Sequence, residues 1–220
     1  MLIRKENLSN NGLMGIWKIE ETTDELLKLF PNEIRAEAQN SIADIKSKRR
    51  RTELLSTRVM LLELLGEIKT LLNQSDGKPY LSDNSYNISI SHTKGYAAIL
   101  LHKTQPVGID LETRSERVKK VAYRFISEDE YIDPYQKIVH QLLHWSAKEC
   151  MFKLINEPGI DFKKQLHLTP FIPLEAGIIK AFETKTEAKK NFKINYEVHS
   201  TYVLTWVVDT KNAPENPERI

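Results

Sequence analysis

Two stretches hold side chains able to act together on a phosphate ester. The first is Val107-Gly108-Ile109-Asp110-Leu111-Glu112. Read as a strand, its period-two alternation sends Asp110 and Glu112 out by one face and Ile109 and Leu111 by the other, toward a core. Two carboxylates side by side repel each other, and a hard divalent cation with oxygen ligands is the usual remedy. An edge strand with an acidic solvent face would carry the same letters. The second stretch is Trp145-Ser146-Ala147-Lys148-Glu149-Cys150-Met151-Phe152-Lys153. On a helix, Trp145, Glu149 and Lys153 share one face. Alone, Glu149 and Lys153 are an ordinary helix ion pair worth about 0.2–0.5 kcal/mol. Beside the first stretch, Glu149 completes a three-carboxylate set with Asp110 and Glu112, and Lys148 and Lys153 become phosphate-holding groups. Magnesium takes few protein carboxylates and leaves positions for water and phosphate oxygens. No G-x-x-x-x-G-K-S/T loop occurs in the chain, so the P-loop cradle is excluded.

Two further features could serve a polyanion, and a marked turn lies between them in the chain. Lys46-Ser47-Lys48-Arg49-Arg50-Arg51 packs five cations into six residues, with Arg58 two turns later. Such blocks are usually solvated helix surface, but their self-repulsion also suits a polyanionic ligand. His92 ends a candidate strand beside a turn, where an imidazole can donate to a phosphate or a carboxylate, or serve only the turn. Gln74–Tyr80 is a turn in which Gly77 can adopt positive φ and Pro79 fixes the exit.

The elements that must position these groups follow from periodicity. Met14–Glu20 alternates as a first strand, and Thr23 or Asp24 caps a short helix, Glu25–Phe30, that stops at Pro31. A long helix-favouring segment runs from about Asn32 to Leu72, with Leu54, Leu55, Val59, Leu62 and Leu65 on one face. Strands are expected at Asn87–His92, Tyr96–His102 and Val107–Glu112. Glu116–Phe125 and a segment capped by Ser127 with Glu130 read as helices, the second interrupted by Pro134. Lys137–Ile155 is a helix with Ile138, Leu142, Trp145 and Met151 or Phe152 near one side. Strands follow at Gly177–Glu183, Phe192–Val198 and Tyr202–Asp209, and Asn212–Ile220 reads as a loose polar tail. The expected class is α+β, with halves at 1–104 and 105–211 that share an element order and meet at an interface.

Composition narrows the function classes. With 220 residues, 28% charged and 40% hydrophobic, the chain can bury a sizeable core, and a net charge of +2 is too mild to argue for nucleic acid. The single Cys150 excludes an internal disulfide and fits a reducing compartment. No apolar leader and no run near the roughly 20 residues of a membrane span is present, so a cytoplasmic protein without a membrane partner is expected.

Gly108-Ile-Asp-Leu-Glu112 followed by Trp145-Ser-Ala-Lys-Glu-Cys-Met-Phe-Lys153 resembles the two signatures of the 4′-phosphopantetheinyl transferase superfamily. Arg124-Phe-Ile-Ser127 with Glu130 resembles the segment between them. Gly77-Lys78-Pro79 and Ser91-His92-Thr93 resemble its upstream motifs, and Arg51–Arg58 its basic helix. The order is right from Lys48 to Lys153, and the length is similar to the two-domain, pseudo-dimeric Sfp-type branch. Ile88-Ser89-Ile90 stand where that branch often has Phe-Asn, closer to the short trimeric synthases.

The resemblance implies a magnesium-dependent (or manganese-dependent) transfer of phosphopantetheine from coenzyme A to a serine of an apo acyl, peptidyl or polyketide carrier. It implies Asp110, Glu112 and Glu149 as metal ligands, Glu149 as proton acceptor, and Lys153 and Lys148 as charge stabilisers. His92 and Ser91 would contact the pyrophosphate, Arg51 and Lys48 the 3′-phosphate, and Gly77, Lys78 and Pro79 the adenine. A pseudo-twofold fold, a monomer and no nucleic-acid partner are the corresponding expectations. The competing readings are another magnesium-dependent phosphotransferase or nucleotide hydrolase, which needs no carrier, and a non-catalytic module that binds coenzyme A or a carrier.

Overall fold

The computed structural model describes residues 1–209, the side chain of Asn10 excepted, so the tail expected at 212–220 lies outside the described residues. Strands β1 (Leu2–Leu8) and β2 (Gly12–Lys18) are followed by helices α1 (Thr23–Lys28), α2 (Asn32–Asn40) and α3 (Lys48–Leu65). A small hairpin, β3 (Leu71–Asn73) and β4 (Pro79–Leu81), precedes β5 (Asn87–Thr93), β6 (Tyr96–His102) and β7 (Val107–Thr113). Then come α4 (Lys137–Ile155), α5 (Phe162–Gln165), β8 (Leu166–Leu168), β9 (Ala176–Glu183), β10 (Asn191–Val198) and β11 (Tyr202–Val208). The α+β class holds, with a sheet ordered β1-β2-β6-β5 and another ordered β7-β11-β10-β9-β8.

One unit recurs in the two sheets. A strand leads to a long helix and then to a hairpin whose second strand pairs antiparallel with the first. In one sheet this is β2, α3 and β5/β6; in the other it is β7, α4 and β10/β11. Helix α3 buries Leu55, Val59, Met60 and Leu64 against β2 and β6. Helix α4 buries Leu143, Ala147 and Met151 in the core that also holds Ile179 and Ile194 of the second sheet. Between the sheets, Met14 and Ile16 meet Ile109, Leu111 and Leu204 in a third apolar cluster. Ile109 and Leu111 thus face a core, as their alternation predicts.

The structure corrects several local expectations. The first strand is β1, missed because its more buried face carries Arg4 and Glu6 beside Leu2 and Leu8. Arg4 is there to grip Glu197 of β10 with two bonds of 2.6 and 2.9 Å. The cap of α1 is Thr22, which exchanges bonds with Glu25 in a capping box. The long helix from Asn32 is two helices. The Ser41 hydroxyl bonds the Ala38 carbonyl, Ile42 folds inward, and Ser47 caps a new start by accepting from the Arg50 amide. It ends at Gly66 (φ +70°), and Leu71–Asn73 is strand. Residues 116–120 and 122–124 form short 3-10 turns instead of one helix, pinned by buried Val118, Ala122 and Phe125. Ser127 opens no helix. Its partner Glu130 is used instead as a buried tether for Lys148 and the Leu168 amide.

Candidate active site

Gly108, Asp110 and Glu112 leave β7 on the side where α4 crosses. At Gly108 a Cβ would lie 2.6 Å from the Cys150 carbonyl oxygen, so hydrogen is the side chain that fits. The helix is seated by Thr205 of β11, whose hydroxyl lies 2.8 Å from the Ser146 hydroxyl and 3.1 Å from the Cys150 sulfur. This close seating carries the Trp145–Glu149–Lys153 face over the two acids. Trp145 donates its indole N–H to Glu112 Oε1 (2.8 Å), and Lys153 donates to Asp110 Oδ1 (3.1 Å) and to the Ile109 carbonyl (2.7 Å).

The other wall is β5, which runs parallel to β7 and joins it through side chains. The hydroxyls of Ser89, Ser91 and Thr93 accept the backbone N–H groups of Ile109 (3.0 Å), Leu111 (3.1 Å) and Thr113 (3.3 Å). The polar alternation of Asn87, Ser89 and Ser91 marks this seam, where Ser89 and Ser91 are buried.

Asp110 is 4% exposed. Its Oδ1 accepts the Ser91 hydroxyl (2.9 Å) as well as Lys153, while its buried Oδ2 has no hydrogen-bond partner. Glu112 Oε2 accepts Thr93 Oγ1 at 3.4 Å. Burial and then the charge of Asp110 push the Glu112 carboxyl up to about 7. The same two causes, in the same order, push Glu149 up to about 7. Burial works against the charge of Lys153, but Asp110, Cys150 and Glu149 overcome it and raise its pKa.

These donors fit a hard divalent cation. They are carboxylate oxygens, two of them costly to ionise without a positive partner, beside a buried acceptor that lacks a donor. Among the described residues, no three His, Cys, Asp or Glu side chains form a ready-made cation cage. Asp110, Glu112 and Glu149 therefore feel one another's charge without converging on one point.

Two grooves flank the carboxylates. One, of about 500 Å³, has Gly77, Lys78 and Pro79 on one side and Phe152, Lys153 and Asn156 on the other. Gly77 takes φ +89° in a turn closed by its own N–H to the Gln74 carbonyl and by Lys78 N–H to Asp76. The second, of about 740 Å³, is rimmed by Arg49, Lys94, Arg114, Arg117 and Arg124, with Glu112 and Trp145 in its lining. Arg49 belongs to the basic run and Arg124 to the segment between the signatures, whereas Lys94, Arg114 and Arg117 carried no sequence signal and are gathered here only by the fold.

The remaining candidates are spread more widely. His92 lies 2.6 Å from the Thr57 hydroxyl through Nε2, and Thr57 gives its proton to the Glu53 carbonyl (2.7 Å). Burial pulls the His92 ring pKa down to about 4. Lys48 and Arg51 lie outside both groove linings. Lys48 is exposed on the first turn of α3, whereas Arg51 turns its Nε to the Ile45 carbonyl.

Lys148 corrects the reading of it as a phosphate-holding group. It is fully buried, with its ammonium bonded to Glu130 (2.7 Å) and to the Phe125 (2.6 Å) and Phe162 (3.1 Å) carbonyls. All three N–H donors are used on these partners, and none reaches Asp110, Glu112 or Glu149. Burial lowers its pKa, against the pull of Glu130.

No helix among the described residues is long and apolar enough to cross a membrane. A comparison with curated proteins finds no match. Residues 106–207 match the family model described as the 4′-phosphopantetheinyl transferase superfamily. That segment, which runs from β7 to β11 and carries Asp110, Glu112, Glu149 and Lys153, is what the chain shares with this superfamily of transferases.

Proposed function

We propose that the chain moves the 4′-phosphopantetheine group of coenzyme A onto a serine hydroxyl of an apo acyl, peptidyl or polyketide carrier. The observation that carries this reading is the placement of Glu112 under Trp145 and of Asp110 under Lys153, with Glu149 on the same helix face and within reach of the charge of Asp110. Segments 1–104 and 105–211 would act as the two halves that bind coenzyme A between them. Asp110, Glu112 and Glu149 would hold Mg²⁺ or Mn²⁺, which supplies charge neutralisation at the pyrophosphate oxygens.

The serine oxygen bonds to the β-phosphorus, and the bond from that phosphorus to the α–β bridging oxygen breaks. Adenosine 3′,5′-bisphosphate leaves with that oxygen. Glu149, held near neutral pKa, takes the serine proton directly or through a water. Lys153 stabilises charge on the transferred phosphate. His92, held through Nε2, turns Nδ1 toward a pyrophosphate oxygen, and an anion there favours its protonation. Gly77, Lys78 and Pro79 line the adenine end, and Lys48 and Arg51 on the first turn of α3 take the 3′-phosphate. Lys148 holds α4 in place and does not touch the phosphates.

The test is intact mass spectrometry of apo carriers incubated with the protein, coenzyme A and Mg²⁺. A phosphopantetheine mass gain is expected, abolished by Asp110→Ala with an unchanged circular dichroism spectrum. No gain on any carrier class rejects the transfer, and undiminished gain with Asp110→Ala rejects the metal assignment.

A further inference from the structure

We infer that Ser91 is a positioning residue that decides which oxygen of Asp110 is left open to the cation, and that it does not bind coenzyme A. This rests on the transferase reading for the presence of a cation. A carboxylate can turn about its terminal bond and offer either oxygen. Here one is committed. The Ser91 hydroxyl accepts the Leu111 N–H at 3.1 Å, which directs its single proton away from that amide and onto Asp110 Oδ1 at 2.9 Å. Lys153 adds a second donor to the same oxygen at 3.1 Å and is itself fixed by the Ile109 carbonyl. Both donors thus serve Oδ1, and Oδ2 remains a buried acceptor with none.

Ser91 sits in the seam between β5 and β7 with its one proton given to Asp110 and its oxygen engaged by the Leu111 N–H, so it has no free donor to offer a nucleotide. The ladder itself supplies the control. Ser89, one step earlier, performs the same backbone service for Ile109 without touching a carboxylate. Thr93, one step later, shows that the seam admits threonine.

The experiment measures Mn²⁺ binding to the protein alone by electron paramagnetic resonance of free Mn²⁺. Coenzyme A binding is measured separately by calorimetry in chelator. Ser91→Ala should weaken Mn²⁺ about ten- to a hundredfold, the usual range for a group that orients a metal ligand from behind. Ser91→Thr should restore it, Ser89→Ala should leave it unchanged, and metal-free coenzyme A binding should not move in Ser91→Ala. If Ser91→Ala does not fold, Ser91→Cys, close in volume with a weaker donor, should show the same direction. Mn²⁺ affinity that ignores both Ser91→Ala and Ser91→Cys overturns the inference alone. So does equal loss in Ser89→Ala, which would make the effect a property of the seam, or a loss of metal-free coenzyme A binding in Ser91→Ala. A wild-type protein that binds no Mn²⁺ overturns the cation part of the transferase reading, and the inference with it.

Discussion

Gly108 stands so close under α4 that a Cβ built on it would lie 2.6 Å from the carbonyl oxygen of Cys150 and 3.3 Å from the Cys150 Cα. The obstacle is backbone, so no rotamer change relieves it. Gly108→Ala must lift the helix away from β7, separating Glu149 and Lys153 from Asp110. We expect a stability loss of about 1–3 kcal/mol, as for other overpacked cores, read from the urea midpoint. Carrier modification should fall much further than stability does. A variant that keeps wild-type transfer would show that the seating of α4 does not set the site.

Lys148 offers a prediction of the opposite kind, because here a charge is deliberately interior. Lys148→Met leaves Glu130 without its cation and should cost about 3–5 kcal/mol. Adding Glu130→Gln removes the stranded charge and should recover part of that. Paired urea titrations of the single and double variants check it, and equal stability of the two would mean that the ion pair is not the cause.

The two buried histidines of α4 make stability fall in acid. Burial is the main reason that His140 and His144 are both held near pKa 4, below the ordinary 6.5. His144 lowers His140 further while Asp133 opposes; at His144 the His140 carbonyl and Glu130 oppose burial, and Lys148 adds to it. The unfolded chain binds these protons first, so stability is fully present above about pH 6.5 and is lost as pH falls toward 4. His144→Gln keeps a polar atom near the His140 carbonyl and removes one titration. Its unfolding midpoint should vary less steeply with pH over that interval than the wild-type midpoint does.

Arg51 separates two ways of reading the basic helix. If it takes the 3′-phosphate, Arg51→Ala should weaken coenzyme A by about tenfold, the 1.4 kcal/mol of one charge-assisted bond, and leave dephospho-coenzyme A nearly untouched. Calorimetry with both ligands decides. Equal loss for the two would give Arg51 only its bond to the Ile45 carbonyl.

How much of this was legible in the letters varies with what each residue answers to. Helix α4 came out at Lys137–Ile155 and β6 at Tyr96–His102, because strong periodicity and flanking turns act locally. That Trp145, Glu149 and Lys153 share a face was legible from spacing; that Trp145 pairs with Glu112 and Lys153 with Asp110 came only from the fold. Strand β1 was not, since Arg4 answers to Glu197, 193 positions away. Nor was the direction of Lys148, because α4 is buried on most sides and a helical position then does not say which way a charge will find partners. The break before α3 hid in a basic run, where Ser47 looks like one more polar residue and acts as a cap. The alternation of Asn87, Ser89 and Ser91 was visible, but neither Thr93 as its next step nor the strand it serves was.

That joint also bears on how the molecule behaves in a crowd. A strand at the border of a sheet normally presents unpaired amides, an invitation to any extended polypeptide drifting past. On β7 the Ile109, Leu111 and Thr113 amides are already capped by neighbouring alcohols. The border is closed without lengthening the sheet, which denies a foreign strand its foothold beside the acids.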